Sequence, residues 1–421
     1  MGEETSVYKG NRGVSQKGKV MKILYYTWDE YCSYDIRQCF EKLGYEYRVC
    51  SYEMKNKLES AEFTEQLRKL LEEDDYDFIF SFAYFPVIAE AAAANRVKYV
   101  SWIYDSPLYS LYTDSVFHKY NYIFHFDSTE VERLKKCGVD HIYHMPLAVN
   151  ADRLGSLDKE DGFLYDVSFV GKLYRDQYNF FDQIKGMPEY YKGYFDALIQ
   201  TQMKLFGYNV IADVLTPEEF KKISAFIGFK NDGKMFLDAR DMFINILEKK
   251  VTAVERTGVL KALSRYYPVT LFSDVTDAEL QNVAFKGYVN YLTEMPDVFR
   301  RSRINLNITL RSIQSGIPLR CLDIMGAGGF LMYYVIDVDI NKQGTKLETG
   351  HIIEGINAIK KEAIILVVNV KFYSSICFSL FAEGYDVKSM KILSLDDYIQ
   401  DRISLQSIQD DVIWIRRKYY D

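Results

Sequence analysis

The feature that most constrains this chain is an alternation of short apolar runs with longer amphipathic stretches between Met21 and about Asn150. Several runs are apolar at nearly every position, as strands are when helices cover both faces of their sheet. The stretches between them have helical spacing, with Phe63, Leu67 and Leu70 on one face. This order predicts βαβ units and a parallel sheet. The predicted strands are Lys22–Tyr26, Tyr47–Ser51, Phe78–Phe82, Tyr99–Tyr104, Tyr122–Phe126 and His141–Met145.

The same rhythm returns in a second region, which predicts a second parallel sheet. A strand is predicted at Asp166–Val170, and further strands at Pro268–Phe272 and Arg303–Ile308. Residues from about 180 to 250 have helical patterns, which indicates an inserted helical segment. The predicted divisions are an extension over residues 1–20, a Rossmann-like domain over 21–155, a second one over 156–331 that contains the insert, and a βα tail over 332–421.

The tail departs from the pattern of the second region after Leu331. Strands are predicted at Ala363–Val368 and Lys391–Leu395, with a helix around Phe372–Glu383 and a closing helix from Asp396. This order is similar to the latter half of small Rossmann-like modules attached to polysaccharide-biosynthesis enzymes. We expect the tail either to complete the second domain or to be a joined module.

Charge and cysteine usage exclude several classes of function. The 421 residues include 52 basic and 59 acidic side chains, and no block of like charge stands out, so we expect no nucleic-acid partner. The 6 cysteines show no CxxC spacing, so we expect neither a metal site nor a disulfide framework. A reducing cytosol is then the expected compartment. No apolar run reaches the roughly 20 residues that span a bilayer, which leaves peripheral membrane association open.

The block from Thr309 to Phe330 has the residue types of an anion site. A polar loop follows the strand that ends near Ile308, and Pro318 suits the first turn of the next helix. The free N–H groups and positive dipole end of that helix point back toward the loop. Arginines add bidentate donors, and Asp323 can accept hydrogen bonds from sugar hydroxyls. The alternative is a buried Arg–Asp pair that joins helix to loop. The residues expected to contact a diphosphate and its ribose are Arg311, Ser312, Ser315, Gly316, Arg320 and Asp323.

A second group of candidates follows the first strand of the second region. Gly171 allows close approach of the backbone to a ligand, and Lys172 and Arg175 are placed to reach a phosphate. The alternative is a solvated loop with ordinary surface charges.

Two carboxylates fall after strands of the first region, where ligands of parallel sheets bind. Asp105 is either a group that faces the ligand or a turn residue before Ser-Pro. Asp127 either faces the ligand or caps the next helix. His125 lies inside an apolar strand and is expected in the core, and His144 lies where the first domain passes to the second.

The stretch Asn305–Leu331, together with Trp102–Pro107 and Asp166–Lys172, resembles the bacterial glycosyltransferases related to spore-maturation proteins. The resemblance covers roughly Met21 to Leu331. It implies the GT-B fold, in which two Rossmann-like domains face a cleft. It also implies transfer of a sugar from a nucleotide-sugar donor to a glycan or protein acceptor, with no cofactor and no metal.

The resemblance assigns roles residue by residue. Arg311, Lys172 and the helix start at 315–320 would hold the diphosphate, and Asp323 would bind the ribose. Arg320 would support the loop or the phosphate. Asp105 or Asp127 would face the acceptor, and Asp105 is the expected general base, which only an inverting reaction needs.

The chain also departs from the pattern of these enzymes. Retaining GT-B enzymes of the broader type often carry two glutamates eight positions apart around this helix start, and Ser315 and Asp323 occupy those positions here. A further lysine of the pattern falls on Gln177, for which Arg175 is a substitute.

The sequence also bears on two other functions. A non-catalytic protein that binds nucleotide-sugars or glycans in a surface or spore-coat assembly is the alternative, favoured by the uncharged Ser315. An NAD-dependent oxidoreductase is disfavoured, because Thr27-Trp-Asp-Glu-Tyr31 stands where a glycine fingerprint would follow the first strand.

Overall fold

The structure is a computed structural model that describes residues 7–8, 20–156, 162–175, 179–205, 209–227 and 233–330, and the backbone of three short strands in the tail. The described residues form two lobes, each built on a parallel sheet with helices, and this confirms the predicted α/β architecture. The boundaries proposed between domains stay predictions. Among the described residues, no helix combines the length and the apolar character that crossing a membrane requires.

The sheet of the first lobe has six parallel strands and one short antiparallel strand at its edge, in the order β1-β3-β2-β4-β5-β6-β7. Its interior strands are buried along most of their length because helices cover the sheet. The strands are β1 (Val7–Tyr8), β2 (Lys22–Tyr26), β3 (Glu46–Cys50), β4 (Phe78–Phe82), β5 (Lys98–Ile103), β6 (Asn121–His125) and β7 (Ile142–His144).

The helices of the first lobe begin and end where local chemistry favours it. The Ser60 hydroxyl accepts a hydrogen bond from the Phe63 N–H and caps α2, and Pro86 occupies the first turn of α3. Residues Tyr109–Tyr112 and Asp114–Phe117 form two 3₁₀ turns between β5 and β6. The helices are α1 (Ser33–Lys42), α2 (Ala61–Glu73), α3 (Pro86–Asn95), α4 (Ser128–Lys136) and α5 (Ala151–Ser156).

The second lobe has a four-stranded sheet in the order β10-β9-β8-β11, with every described pair parallel. Its strands are β8 (Tyr165–Val170), β9 (Val269–Phe272), β10 (Ala284–Phe285) and β11 (Ser302–Leu306). Two helices flank the sheet, α10 (Met295–Arg300) and α11 (Leu319–Gly326).

The predicted insert is a helical unit between β8 and β9. After a 3₁₀ turn at Phe180–Gln183 it comprises α6 (Glu189–Lys204), α7 (Val210–Val214), α8 (Pro217–Ile227) and α9 (Ala239–Leu263). It has a core of its own that contains Phe195, Phe243 and Leu247, whereas Leu260 near the end of α9 packs in the core of the second sheet. The 25-residue helix α9 therefore joins the insert to the sheet as one continuous element.

The tail contributes three short parallel strands, β12 (Ile364–Val367), β13 (Ile392–Ser394) and β14 (Val412–Ile415), in the order β13-β12-β14. The first two confirm the strands predicted near 363–368 and 391–395. Within the described part of the chain they pair with each other and not with the second sheet. The helix predicted around 372–383 lies outside the described residues. The prediction of a closing helix from Asp396 is wrong at Val412–Ile415, which forms a strand. The β-branched and aromatic residues there favour a strand.

The two lobes meet at the carboxyl edges of their sheets. The loop after β11 reaches the first lobe, where the Ser312 hydroxyl donates to the Ser106 carbonyl at 2.7 Å. On another side of the junction, the Arg153 guanidinium of the first lobe donates to the Leu292 carbonyl of the second at 3.4 Å. The strand ends that bind ligands in parallel sheets therefore face each other across the junction.

Candidate functional site

A group of basic side chains lies at the carboxyl edge of the second sheet. Lys172 is the second residue after β8, and its ammonium is 3.7 Å from a carboxylate oxygen of Asp274. Lys249 comes from α9 and is half-buried, with its ammonium 5.1 Å from the centre of the Tyr174 ring. Burial lowers the pKa of Lys249, and the charge of Lys172 lowers it further. The Arg256 guanidinium lies over the same ring, 4.8 Å from its centre, so two cations border Tyr174.

Lys249 differs from its neighbours in having no acidic partner within the described residues. The adjacent Lys250 pairs with Asp182 instead. A half-buried ammonium with no acidic partner is unfavourable beside other cations unless an anion neutralises it. The position is therefore suited to an anionic ligand.

The buried Arg256 holds the backbone of this edge in place. Its guanidinium donates to the Ile308 carbonyl at 2.6 and 3.0 Å, and it also donates to the Lys172 carbonyl. These bonds tie the end of β8 to the chain just after β11. Burial lowers the pKa of Arg256, and Arg320 adds to this effect because its charge is close by. The positive charge at the edge thus extends from α9 to α11.

Sequence reasoning did not single out Lys249 or Arg256, although one signal was present. Lys249, Thr252 and Arg256 are spaced i, i+3 and i+7, which places them on one face of α9. Thr252 and Arg256 are both buried, so this face is a polar stripe on a packed helix. A polar stripe at core spacing is the pattern that could have revealed them.

Arg311 lies against the insert rather than toward open solvent. Its guanidinium forms a two-bond ion pair with Glu255, at 2.6 and 2.8 Å, and only 12% of its side chain is exposed. It also donates to the Leu205 carbonyl at 3.2 Å, and its backbone N–H donates to the Thr252 hydroxyl at 2.9 Å. The predicted contact with a phosphate stays a prediction, since a diphosphate would compete with Glu255 for this guanidinium.

The loop at 312–316 contacts the first lobe. The Ser315 hydroxyl donates to Asp127 at 2.6 Å, and the Gln314 N–H donates to the same carboxylate at 2.9 Å. Gly316 packs so tightly on Phe126 that an added Cβ would lie 2.4 Å from its ring. The helix α11 begins only at Leu319, after this loop. The ligand contacts predicted for the loop would have to replace these bonds, and they stay predictions.

Arg320 and Asp323 form the pair that the alternative interpretation described. Their charged atoms are 3.5 Å apart, and the Tyr291 hydroxyl donates to Asp323 at 3.0 Å. Asp323 is only 4% exposed, and burial raises its pKa to about 6 although Arg320 works against this. The protein covers nearly all of this carboxylate, so its predicted hydrogen bonds to a ribose stay a prediction. Arg320 keeps 29% of its side chain exposed and can still reach a ligand.

The first lobe contributes Asp105, which follows β5 at the junction. Its side chain is exposed to solvent. The surrounding protein still removes part of its hydration and raises the pKa of this carboxyl, whereas the ammonium of Lys57 lowers it. An accessible carboxylate with a raised pKa has the properties of a general base.

Asp127 is the helix cap that one interpretation predicted. Its carboxylate accepts the Thr129 N–H at 3.1 Å at the start of α4 and the Ser106 hydroxyl at 2.9 Å, and it is 1% exposed. His125 is buried in the core as expected, where its Nδ1 accepts the Asp127 N–H at 3.0 Å. Burial lowers the pKa of His125 to about 4, so it is neutral. His144 is half-buried and places its Nε2 3.2 Å from the Phe126 carbonyl.

Comparison with known proteins gives a distant structural likeness. No protein-family model matches the chain, and no curated protein matches it either. A solved structure of a glycosyltransferase from Rickettsia africae ESF-5 is 11% identical, covers 92% of this chain and 94% of its own, and has a TM-score of 0.36. The function proposed below therefore depends on the geometry of the described residues.

Proposed function

We propose that this protein is a glycosyltransferase that moves a sugar from a nucleotide-diphosphate sugar to an acceptor. The observation that carries the proposal is the half-buried Lys249, which has no acidic partner among the described residues and borders the Tyr174 ring together with Arg256, at the carboxyl edge of one parallel sheet that faces the edge of another. A diphosphate placed there would neutralise Lys249. It would also lie where parallel sheets bind ligands. Membership of the family related to spore-maturation proteins is part of this proposal.

The proposed donor site runs along the edge of the second sheet. Lys172 and Lys249 bind the phosphates, and Arg256 holds the backbone around them. Arg320 completes the positive field, and Asp323 accepts hydrogen bonds from the ribose. Arg311 acts in this scheme through its pair with Glu255, which fixes the start of the loop.

The proposed chemistry is electrostatic. The bond between the sugar and the β-phosphate breaks, and negative charge develops on the leaving diphosphate. Preorganised cations stabilise that charge more in the transition state than in the bound donor. Lysine and arginine side chains supply the positive charge in this proposal, so the reaction is proposed to need no metal.

Asp105 is proposed to take the proton of the attacking acceptor hydroxyl. Asparagine at this position cannot accept a proton, so Asp105→Asn should lower kcat about 100-fold or more. The dissociation constant of the nucleotide should stay unchanged, because Asp105 is on the other lobe. The measurement is release of the nucleoside diphosphate from UDP-, GDP-, TDP- and CDP-sugars, with exposed Asp114→Asn as the matched control. Equal rates in the wild type and Asp105→Asn would contradict the assignment of the base.

A second candidate function is a non-catalytic protein that binds nucleotide-sugars or glycans. It is favoured by Ser315, which stands at a position usually acidic in the resembling enzymes and is bonded to Asp127. Binding of a nucleotide-sugar with neither transfer nor hydrolysis, under conditions where the protein is folded, would support this candidate over the enzyme.

A further inference from the structure

A pocket of the first lobe opens at the carboxyl ends of β2 and β3, and nothing above assigns it a ligand. Its volume is about 370 Å³, within the range of small-molecule sites. It lies at the end of β2, which has β3 on one side and β4 on the other, so the connection from β2 to β3 and the connection from β3 to β4 run in opposite directions across the sheet. It is lined by Tyr26, Thr27, Trp28, Asp29, Ser51, Tyr52, Glu53, Met54, Lys57 and Phe85.

One wall of the pocket is aromatic and open. Trp28 keeps 41% of its surface exposed, although a large indole is normally packed away from water. The ammonium of Lys57 lies 5.4 Å from the centre of the Trp28 ring and 5.6 Å from that of Phe85. An exposed flat ring beside a polar group is suited to a ligand that has one apolar face and several hydroxyl groups.

The exposed position of Trp28 is held by hydrogen bonds. Its indole N–H donates to the Phe82 carbonyl at 3.4 Å, and its backbone N–H donates to the Glu30 carboxylate at 3.0 Å. Glu30 is buried and also accepts the Thr27 hydroxyl at 3.0 Å and the Tyr25 hydroxyl. The ring is therefore fixed before a ligand arrives, which reduces the entropy lost on binding.

The polar groups of the pocket disfavour a phosphate ligand. Two exposed carboxylates, Asp29 and Glu53, line it with one ammonium, Lys57. Carboxylates repel a phosphate and accept hydrogen bonds from hydroxyl groups. A pyranose ring meets both requirements, because its C–H face packs on an aromatic ring while its hydroxyls bond to carboxylates.

We infer that this pocket binds a neutral saccharide with one pyranose ring stacked on Trp28. If the proposed function holds, on which this step rests, that saccharide is the acceptor of the transferred sugar. The pocket adjoins the strand end that carries the proposed base, because the Trp28 indole donates to the Phe82 carbonyl and the Phe82 ring lies 5.8 Å from the ring of Tyr104, the residue before Asp105. An acceptor hydroxyl that extends from the pocket would then approach Asp105.

The test uses the full chain and titrates maltose, cellobiose and chitobiose by calorimetry and by tryptophan fluorescence. We expect at least one of these disaccharides to bind, and Trp28→Ala to weaken that binding at least 10-fold. Trp28→Phe, which keeps an aromatic face, should lose less. Tyr34→Ala, which removes an equally exposed ring outside the pocket lining, should leave the affinity unchanged. Circular dichroism and thermal unfolding establish that each variant is folded.

Two results would overturn the inference: no binding of any disaccharide to the folded wild type, or binding that Trp28→Ala leaves unchanged. Nucleotide affinity is measured on the same samples. Loss of saccharide binding with nucleotide binding intact would count against the pocket alone. Saccharide binding that depends on Trp28, with no nucleotide binding, would uphold the pocket and count against the glycosyltransferase.

Discussion

At the scale of single residues, buried ionisable groups separate sites that await a ligand from sites that the protein satisfies itself. Arg311 and Glu255 neutralise each other, and the Asp127 carboxylate accepts hydrogen bonds from four donors, two on each lobe. Lys249 has no such partner among the described residues. The candidate ligand site is therefore at a cation that the protein does not neutralise. The arginine-containing loop that the sequence favoured is instead paired within the protein.

Glu248 gives a prediction at this scale. It is 3% exposed, and one carboxylate oxygen accepts the Asn209 amide at 2.6 Å while the other is buried with no partner in the described part of the chain. Burial raises the pKa of Glu248 to about 8, with Arg133 lowering it and Glu130 raising it. The folded state therefore holds this proton more tightly than the unfolded state, and stability should fall as pH rises from about 4.5 to about 8.

Glu248→Gln should remove this part of the pH dependence, because the amide stays neutral and still offers an oxygen to Asn209. The check is the unfolding temperature of wild type and variant at pH 5 and pH 9. Relative to the wild type, the variant should be more stable at pH 9 than at pH 5. The difference in the free energy of unfolding should change by an amount on the order of a few kcal/mol. An equal drop in both proteins between the two pH values would contradict a protonated Glu248.

At the scale of elements, strands and helices with strong local patterns could be predicted from sequence. β2 and β4 have the predicted bounds because apolar runs define buried strands. The cap at Asp127 was one of two interpretations, and the hydrogen bond from the Thr129 N–H to its carboxylate confirms it. Pairings between distant elements could not be predicted this way: Arg311 and Glu255 are 56 positions apart, and no local pattern joins them. Lys249 was missed because a lysine on a helix ordinarily indicates a solvated surface.

Gly316 gives a prediction for the loop between β11 and α11. An added Cβ would lie 2.4 Å from the Phe126 ring and 2.8 Å from the Phe126 carbonyl oxygen, so the backbone of one lobe would have to move. Gly316→Ala should destabilise the protein by roughly 1–3 kcal/mol, the range for overpacking. Gly258→Ala is the matched control, because Gly258 lies inside α9 with nothing within 4 Å of an added Cβ. It should stabilise by roughly 0.5–1 kcal/mol.

The comparison of the two glycine variants is made by denaturant unfolding with unchanged m-values. A Gly316→Ala protein as stable as the wild type would show that this loop does not press on the first lobe as described.

At the scale of the whole molecule, the two lobes bring two different surfaces to one junction. The second sheet presents cations with Asp323, and the first presents Asp105 with an aromatic pocket. The loop that leaves β11 bonds to Asp127 and links the two surfaces. The proposed donor and acceptor sites lie on opposite lobes, so a substitution in one site can be tested without disturbing the other.

The central claim is that Lys249 neutralises a diphosphate, and nucleotide affinity tests it most directly. The measurement is the dissociation constant of UDP, GDP, TDP and CDP for wild type, Lys249→Met and Lys250→Met. A charge-assisted bond contributes about 1.5–3 kcal/mol, so Lys249→Met should weaken the bound nucleotide roughly 10- to 150-fold. Lys250→Met, one position along and paired with Asp182, should leave the affinity unchanged. Equal affinity in all three proteins, or no nucleotide binding by the folded wild type, would contradict the account.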